Sequence, residues 1–515
     1  MSAPTHTDTT LPDWPTHITA AAGRVYDVAD KTALMLAAQL SDETGNTVLL
    51  KREDQQPVFS FKLRGAYNRI ASLPDDVVAR GVICSSAGNH AQGVAMAAKL
   101  RGCRAVIVMP RTTPEIKIDA VRALDGEVVL HGDTYDDAAA HAAQLAEQQS
   151  LSFVHPFDDP DVIAGQATIG LELIEQCATP PHAVFVPIGG GGLASGIGLA
   201  LKAQWPETRI IGVEPEQAAS MLAARKAGAP VTLPRVGMFA DGVAVRRVGD
   251  LTFDIVENVV DDIITVTTDE TCAAIRDIYE DTRTVVEPAG ALAVAAMRQF
   301  TRNHEIRGQS MVAIVCGANL NFDRLRHIAE RAAIGERREA LYAVRIAETP
   351  GSFRQFCDAL GPLAVTEFNY RLQGGDDARI FVGVALRDGQ REQQAILQRI
   401  VSAGYEAEDI SDNELAKLHL RHLSGGRNTD ARSERLFRFE FPERPGALGD
   451  FLDAIGNTVN ISLFHYRNHG SDFGRVLVGL QIPDSEQVAF DAHIAQLGFW
   501  YSEETDNTAA KLFLG

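Results

Sequence analysis

From about residue 20 to residue 330 the chain alternates two hydrophobic patterns. Short continuous apolar runs (NTVLLKRE, ARGVICSS, RAVIVMP, EVVLHG, HAVFVPI, RIIGVEP, MVAIVCG) read as strands buried on both faces. Longer runs between them carry apolar residues three and four apart. ITAAAGRVYDVADKTALMLAAQLSDETG has helical periodicity with short breaks. HAQGVAMAAKLRG is an Ala-rich helix ended by a Gly cap, and TTPEIKIDAVRALDG is a helix with Thr at its cap and Pro in its first turn. YDDAAAHAAQLAEQQ and LASGIGLALKAQ complete the helical set. Buried strands alternating with helices predict an α/β fold with a parallel sheet, and ligands at the carboxyl ends of its strands.

After about residue 325 the pattern changes. FDRLRHIAERAAIGERREAL is a charged helical connector. Two similar segments follow: ETPGSFRQFCDALGPLAVTEFNYR with ARIFVGVALRDG, and ERPGALGDFLDAIGNTVNISLFHYR with GRVLVGLQIPDS. Gly351 and Gly446 stand 95 residues apart, and Gly383 and Gly479 stand 96 apart. This is an internal duplication. Each copy reads strand, helix, strand, strand, the start of a split βαβ ferredoxin-like α+β unit. The polar stretch KLHLRHLSGGRNTDARSER separates them as a linker.

At 515 residues the chain exceeds one hydrophobic core. A net charge of -20 argues against nucleic acid or an anionic membrane as partner. No apolar run reaches the ~20 residues of a membrane span. The first 15 residues are polar, with no basic or apolar leader pattern, and read as a loose arm on a cytoplasmic protein. Six cysteines are scattered without a C-x-x-C pair, as expected of reduced thiols.

Three junctions carry chemistry. In PVFSFKLRGAYNRI, residues 57–70, a strand-like run meets a helix-like one at Lys62, walled by Phe59, Phe61 and Leu63. Desolvation and a helix N-terminus both disfavour the charged amine, as a Schiff-base lysine requires. Gly189-Gly190-Gly191-Gly192-Leu193 lies between a strand and a helix, where consecutive N–H groups make a phosphate nest. It lacks the Lys-Ser/Thr of a nucleotide P-loop. Ser85-Ser86-Ala87-Gly88-Asn89-His90 also joins strand to helix and suits a carboxylate, while His90 reads more simply as a satisfied polar residue. A reactive lysine with phosphate and carboxylate sites in one α/β unit points to pyridoxal 5'-phosphate acting on an amino acid.

SFKLRGAY, SSAGNHAQG, GGGGL, VEPAGALA and CGAN, in this order and with the duplicated tail, resemble the fold-type II pyridoxal-phosphate enzymes and, among them, the biosynthetic threonine ammonia-lyases. The likeness extends over the chain beyond residue 20. It implies a two-lobed parallel-sheet (tryptophan synthase β-like) catalytic domain and two ACT-like regulatory domains. The expected boundaries are an N-terminal arm 1–19, catalytic domain 20–325, connector 326–340, first regulatory domain 341–415, linker 416–433 and second regulatory domain 434–511.

Residue by residue, the resemblance implies that Lys62 carries the cofactor and shuttles the α-proton. Asn89 would bond the ring hydroxyl and Phe61 stack on the ring, with Gly242 nearby. Gly189, Gly190, Gly191, Gly192 and Leu193 would hold the phosphate. Ser86, Ala87, Gly88, Asn89 and His90 would wrap the substrate carboxylate. Cys316 would face the pyridine nitrogen, and Glu287 lies near without an assigned role. Glu214 lies in GVEPEQAASM, but the following acidic residue of metal-binding relatives is not evident, so no metal site is expected. The implied reaction takes L-threonine to 2-oxobutanoate and ammonia, the first committed step of isoleucine biosynthesis, with L-serine as a secondary substrate. Isoleucine would inhibit and valine counteract it through sites involving Tyr370 and Tyr466, in a homotetramer. The competing readings are a serine/threonine dehydratase or racemase of the same fold with different regulation, and a non-catalytic amino-acid sensor. The double tail disfavours the first; retention of Lys62, Asn89, the Gly loop and Cys316 disfavours the second.

Overall fold

The computed structural model describes residues 12–347, 352–361, 363–370, 377–422, 433–442, 451, 455, 460–467 and 473–514. The chain divides into two compact units, Met1–Asn321 and Phe322–Gly515. In the first, the continuous apolar runs form parallel strands, as burial on both faces requires. Six strands make one sheet in the order Leu34–Leu36, Thr47–Arg52, Ser310–Val315, Ala183–Pro187, Arg209–Pro215, Asp262–Val266, and only the first pairs antiparallel. A four-stranded sheet, Glu127–Leu130, Ala105–Met109, Val82–Ser85 and Ser152–Phe153, is parallel throughout. Among the described residues no helix is long and apolar enough to cross a membrane.

Three local expectations are corrected. Residues 57–61 form no strand: Phe59 N donates to Gln56 O, closing a turn, and Phe59 takes φ 55° with its side chain exposed. Only an isolated bridge, Ser60 to Gly317, remains of the pairing. The arm is helical from Trp14, because Ile18, Ala21 and Val25 recur as its buried residues, Ile18 and Ala21 against Ala164, Ala167 and Ala200. In the third case Pro114, with ψ 140°, is the cap of helix Glu115–Arg122 rather than a first-turn residue.

Behind Lys62 the helix Lys62–Ala71 is anchored by a buried ionic network. Arg64 bonds Glu53 at 2.8 Å and Glu172 at 2.6 Å, and Lys51 Nζ reaches Glu172 at 2.5 Å. All four side chains are buried. Thr32 Oγ1 donates to Glu53, and the Thr32 carbonyl accepts from Lys51.

The second unit contains two four-stranded antiparallel sheets of matching order. One runs Val365–Tyr370, Asp377–Ala385, Glu339–Ala347, Glu406–Asp409; the other runs Asn460–Arg467, Phe473–Gln481, Glu434–Pro442, Trp500–Glu503. Each has a register shift at the same place, Val365/Glu367 and Ile461/Leu463. Tyr370 pairs with Ile380 as Tyr466 pairs with Val476; the two tyrosine side chains lie outside the described residues. The expected linker begins too early. Residues Glu414–Leu418 form a helix capped by Asn413, and Leu415, Ala416 and Leu420 enter one core with Ala509, Ala510 and Phe513. Asn507 caps the matching helix Thr508–Phe513, and Asn413 donates to Asn507 Oδ1 at 3.1 Å. Most of the stretch 416–433 and both Pro-Gly turns lie outside the described residues.

Candidate active site

Lys62 is the first residue of its helix, with Phe61 at the cap. Its Nζ donates to the Pro156 carbonyl at 2.8 Å and lies 5.3 Å from the Phe61 ring centroid. Burial draws the amine down to about 8, against the opposing pull of Cys316 and Glu287. A neutral, nucleophilic amine is therefore accessible close to neutral pH.

Two helices begin beside this lysine with buried first turns and no side-chain cap. One is Asn89–Arg101, whose Asn89, His90 and Ala91 are buried; its Gly93 packs against the Lys62 backbone, where a Cβ would meet the carbonyl at 3.1 Å. The other is Gly192–Gln204, whose Gly192, Leu193 and Ala194 are buried. Uncapped, buried N-termini leave N–H donors and the positive dipole end for an anion. The glycine run suits one: Gly191 has φ 102°, and a Cβ on Gly190 would overlap the Phe157 ring. At the other, Gly88 N donates to Ser86 Oγ, Ala87 lies between them, and the buried Ser85 hydroxyl has no partner among the described residues. His90 contributes differently from expectation. Its Nε2 donates to the Val154 carbonyl at 2.9 Å, so buried Nδ1 is a bare lone pair that repels a carboxylate. Burial, then the Lys62 charge, pushes the ring down to about 3, so it stays neutral. Only its backbone N–H suits an anion. An amine flanked by two anion cradles fits pyridoxal phosphate and an amino-acid carboxylate.

The third wall is a clamp on Asn89. Asn89 Nδ2 donates to Glu287 Oε1 at 2.6 Å, and Asn89 Oδ1 accepts from Asn319 Nδ2 at 2.7 Å. Asn319 N donates to Glu287 Oε2 at 3.1 Å. One Asn89 N–H remains for a ligand. A Cβ on Gly317 would sit 2.5 Å from Glu287 Oε1, and one on Gly242 3.3 Å away, so both glycines make room for the clamp. Burial, then Asp241, raises Glu287 to about 7. Cys316 is buried at the end of strand Ser310–Val315, its carbonyl accepting from Phe61 N at 3.3 Å. Burial, followed by Glu287, pushes the thiol well up, so it is neutral.

Several residues here escaped the sequence reading. Asn319 is the last residue of the CGAN motif, and its short polar side chain at that position was the available signal. The segment His155–Asp158 links the lysine to the glycine loop, and Thr252 Oγ1 donates to Gly190 O at 2.6 Å. Lys117 and Asp241 pair at 2.6 Å and join the two lobes. Nothing in their local pattern marks these partners. Glu214 caps helix Ser220–Ala227, accepting Met221 N at 2.8 Å and Leu222 N at 2.9 Å.

Comparison with known proteins identifies the family. A family model for pyridoxal-phosphate dependent enzymes matches residues 25–317, and one for the C-terminal regulatory domain of threonine dehydratase matches twice, at 330–420 and 425–514. The biosynthetic L-threonine dehydratase IlvA of Burkholderia multivorans is 53% identical over 494 residues, 95% of this chain and 97% of that protein. The processed form of threonine deaminase isoform 2 from Solanum lycopersicum superposes with a TM-score of 0.62 at 46% identity, covering 64% of this chain and 90% of that one. Maize serine racemase gives 0.57 at 35% identity, covering 60% of this chain and 95% of that one. The catalytic lobes are thus shared with racemases, and the duplicated tail is what separates them. The chain belongs to the biosynthetic threonine dehydratases, pyridoxal-phosphate-dependent enzymes with a C-terminal regulatory region.

Proposed function

We propose that this chain dehydrates and deaminates L-threonine to 2-oxobutanoate and ammonia, with Lys62 as the cofactor-bearing lysine and the base. The observation that carries it is the Lys62 amine, lowered to about 8 and standing between two buried, uncapped helix N-termini. Gly189 to Leu193 would hold the phosphate, Asn89 would offer its remaining N–H to the ring hydroxyl, and Phe61 would pack on the ring. In the Ser86–His90 segment Ser86 N donates to the Val108 carbonyl and Gly88 N to Ser86 Oγ, so the amides of Ala87, Asn89 and His90 are the ones that would hold the substrate carboxylate, with the α-carbon within reach of Lys62. Pyridoxal phosphate, when bound, supplies an aldehyde for the substrate amine and a ring that draws electrons from the α-carbon. Lys62 Nζ takes the α-proton, and hydroxide leaves the β-carbon. Cys316, a buried neutral thiol, would face the ring nitrogen and, unlike a carboxylate, would not hold a proton there, which would favour prompt elimination over other fates. Glu287 and Asn319 hold Asn89 in place.

L-serine, smaller by one methyl, is a secondary substrate; such a difference is worth only ~1–3 kcal/mol of selectivity. The duplicated domains make the enzyme subject to isoleucine, which inhibits, and valine, which relieves, within a homotetramer; the matched register of Tyr370 and Tyr466 supports paired effector sites. The test is the visible spectrum of the purified protein before and after L-threonine. A cofactor band that threonine perturbs, with 2-oxobutanoate accumulating and isoleucine suppressing it, is expected. A colourless protein inert after added pyridoxal phosphate would refute the enzyme reading and favour an amino-acid sensor. Formation of D-allothreonine from L-threonine, or of D-serine from L-serine, in place of the 2-oxo acid would favour a racemase.

A further inference from the structure

Four consecutive residues, His155 to Asp158, join the reactive lysine to the glycine loop. The Pro156 carbonyl accepts from Lys62 Nζ at 2.8 Å. The Phe157 ring lies against Gly190, and the Phe157 backbone and Cβ lie against Gly192. The Asp158 carboxylate accepts Asp250 N at 3.1 Å and Thr252 N at 3.0 Å, at the start of helix Asp250–Val259. Thr252 in turn bonds the Gly190 carbonyl. The turn is closed by a side chain: His155 Nδ1 accepts Asp158 N at 2.7 Å and Phe157 N at 3.3 Å.

We infer that His155 is a positioning residue: its Nδ1 lone pair sets the turn that aims the Pro156 carbonyl at Lys62 and lays the Phe157 ring on the glycine loop. The task needs a neutral ring, since an imidazolium has no lone pair to accept an amide proton. The setting agrees. Burial, then the Lys62 charge, draws the ring down to about 4, and the Phe157 ring packs edge-on with centroids 4.7 Å apart. The acceptor, rather than the ring, is what matters. Asparagine Oδ1 is attached to Cγ as His Nδ1 is, and Asn side chains close such turns onto backbone N–H groups two residues on.

The inference rests on reading Gly189 to Leu193 as the phosphate cradle, so the test has two readouts. The first is pyridoxal phosphate affinity of the apoenzyme, by titration of the visible band in wild type, H155L and H155N. The second is amide hydrogen exchange at Phe157 and Asp158 in the apoenzyme, which needs no cofactor. H155L is expected to bind about tenfold more weakly, the scale of one lost buried hydrogen bond, with faster exchange at both amides. H155N is expected to stay within about threefold of wild type on both readouts. H155N as impaired as H155L, or H155L unchanged in both, overturns the inference. Should H155L fail to fold, a correctly folded H155N with wild-type exchange but weak binding, or with fast exchange, overturns it equally. Wild-type protein that binds no pyridoxal phosphate at all refutes the cradle reading instead, and the exchange data still decide whether His155 sets the turn.

Discussion

Substituting Glu172 by Gln isolates the network behind the lysine helix. The native set holds two cations, Lys51 and Arg64, and two anions, Glu53 and Glu172, all buried. Glu172→Gln keeps the volume and leaves one buried positive charge without a counter-charge. Arg64 retains Glu53 at 2.8 Å, so the loss falls on Lys51, left with the Thr32 carbonyl at 2.7 Å and Gln176 Oε1 at 3.0 Å. Breaking a buried pair in this way costs about 3–5 kcal/mol. For a unit of this size, at ~2.1 cal/mol/K of unfolding entropy per residue, that is about 4–7 °C in the calorimetric transition of the catalytic unit. Burial already lowers the Lys51 pKa against the pull of Glu172 and Glu53. Without Glu172 it falls further below its unfolded value, so the cost is full at acid pH and shrinks as pH rises through the folded-state value and Lys51 sheds its proton. The double variant Lys51→Met, Glu172→Gln removes one charge of each sign and is expected to recover most of the loss, a coupling of about 2–3 kcal/mol. A Glu172→Gln transition within about 2 °C of wild type, or additive single effects in the double variant, would refute the reasoning.

Three further predictions follow from the site. Gly190→Ala forces a Cβ into the Phe157 ring and is expected to weaken pyridoxal phosphate binding at least tenfold and lower stability by about 1–3 kcal/mol, read by cofactor titration and calorimetry. The rate at which apoenzyme captures pyridoxal phosphate is expected to rise with pH to a midpoint near 8, because burial lowers Lys62 to about that value; a midpoint above 10 contradicts it. Glu287, raised to about 7 by burial and then Asp241, keeps a proton in the folded state that the unfolded chain has released above its usual value of 4.5. Its contribution to stability therefore falls as pH rises from 4.5 to 7, and Glu287→Gln should flatten that part of the profile while loosening Asn89; an unchanged slope in thermal scans across pH rules this out.

The local pattern of the chain determined its architecture. Continuous apolar runs between helical ones specify buried parallel strands, and a repeat of 95–96 residues specifies two like domains, because both are properties of neighbours in sequence. A lysine beside aromatics and a glycine run at a strand end were legible for the same reason: residue type and the junction it occupies carry the chemistry. Local pattern misled where neighbours did not decide. The apolar PVFSF is a turn held by Phe59 at φ 55°, and residues 414–418, in part assigned to a linker, are a helix buried against Ala509 and Ala510. Tertiary structure alone decided who meets the lysine. Asn89 and Glu287 stand 198 positions apart, Lys62 and Pro156 94. Their meeting follows from strand order, which sets Ser310–Val315 between Thr47–Arg52 and Ala183–Pro187. A short polar side chain such as Asn319 or His155 has many equivalent solvated uses in an unfolded chain. It acquires a single partner only when the sheets bring one within hydrogen-bond reach and burial makes leaving it unpaired costly.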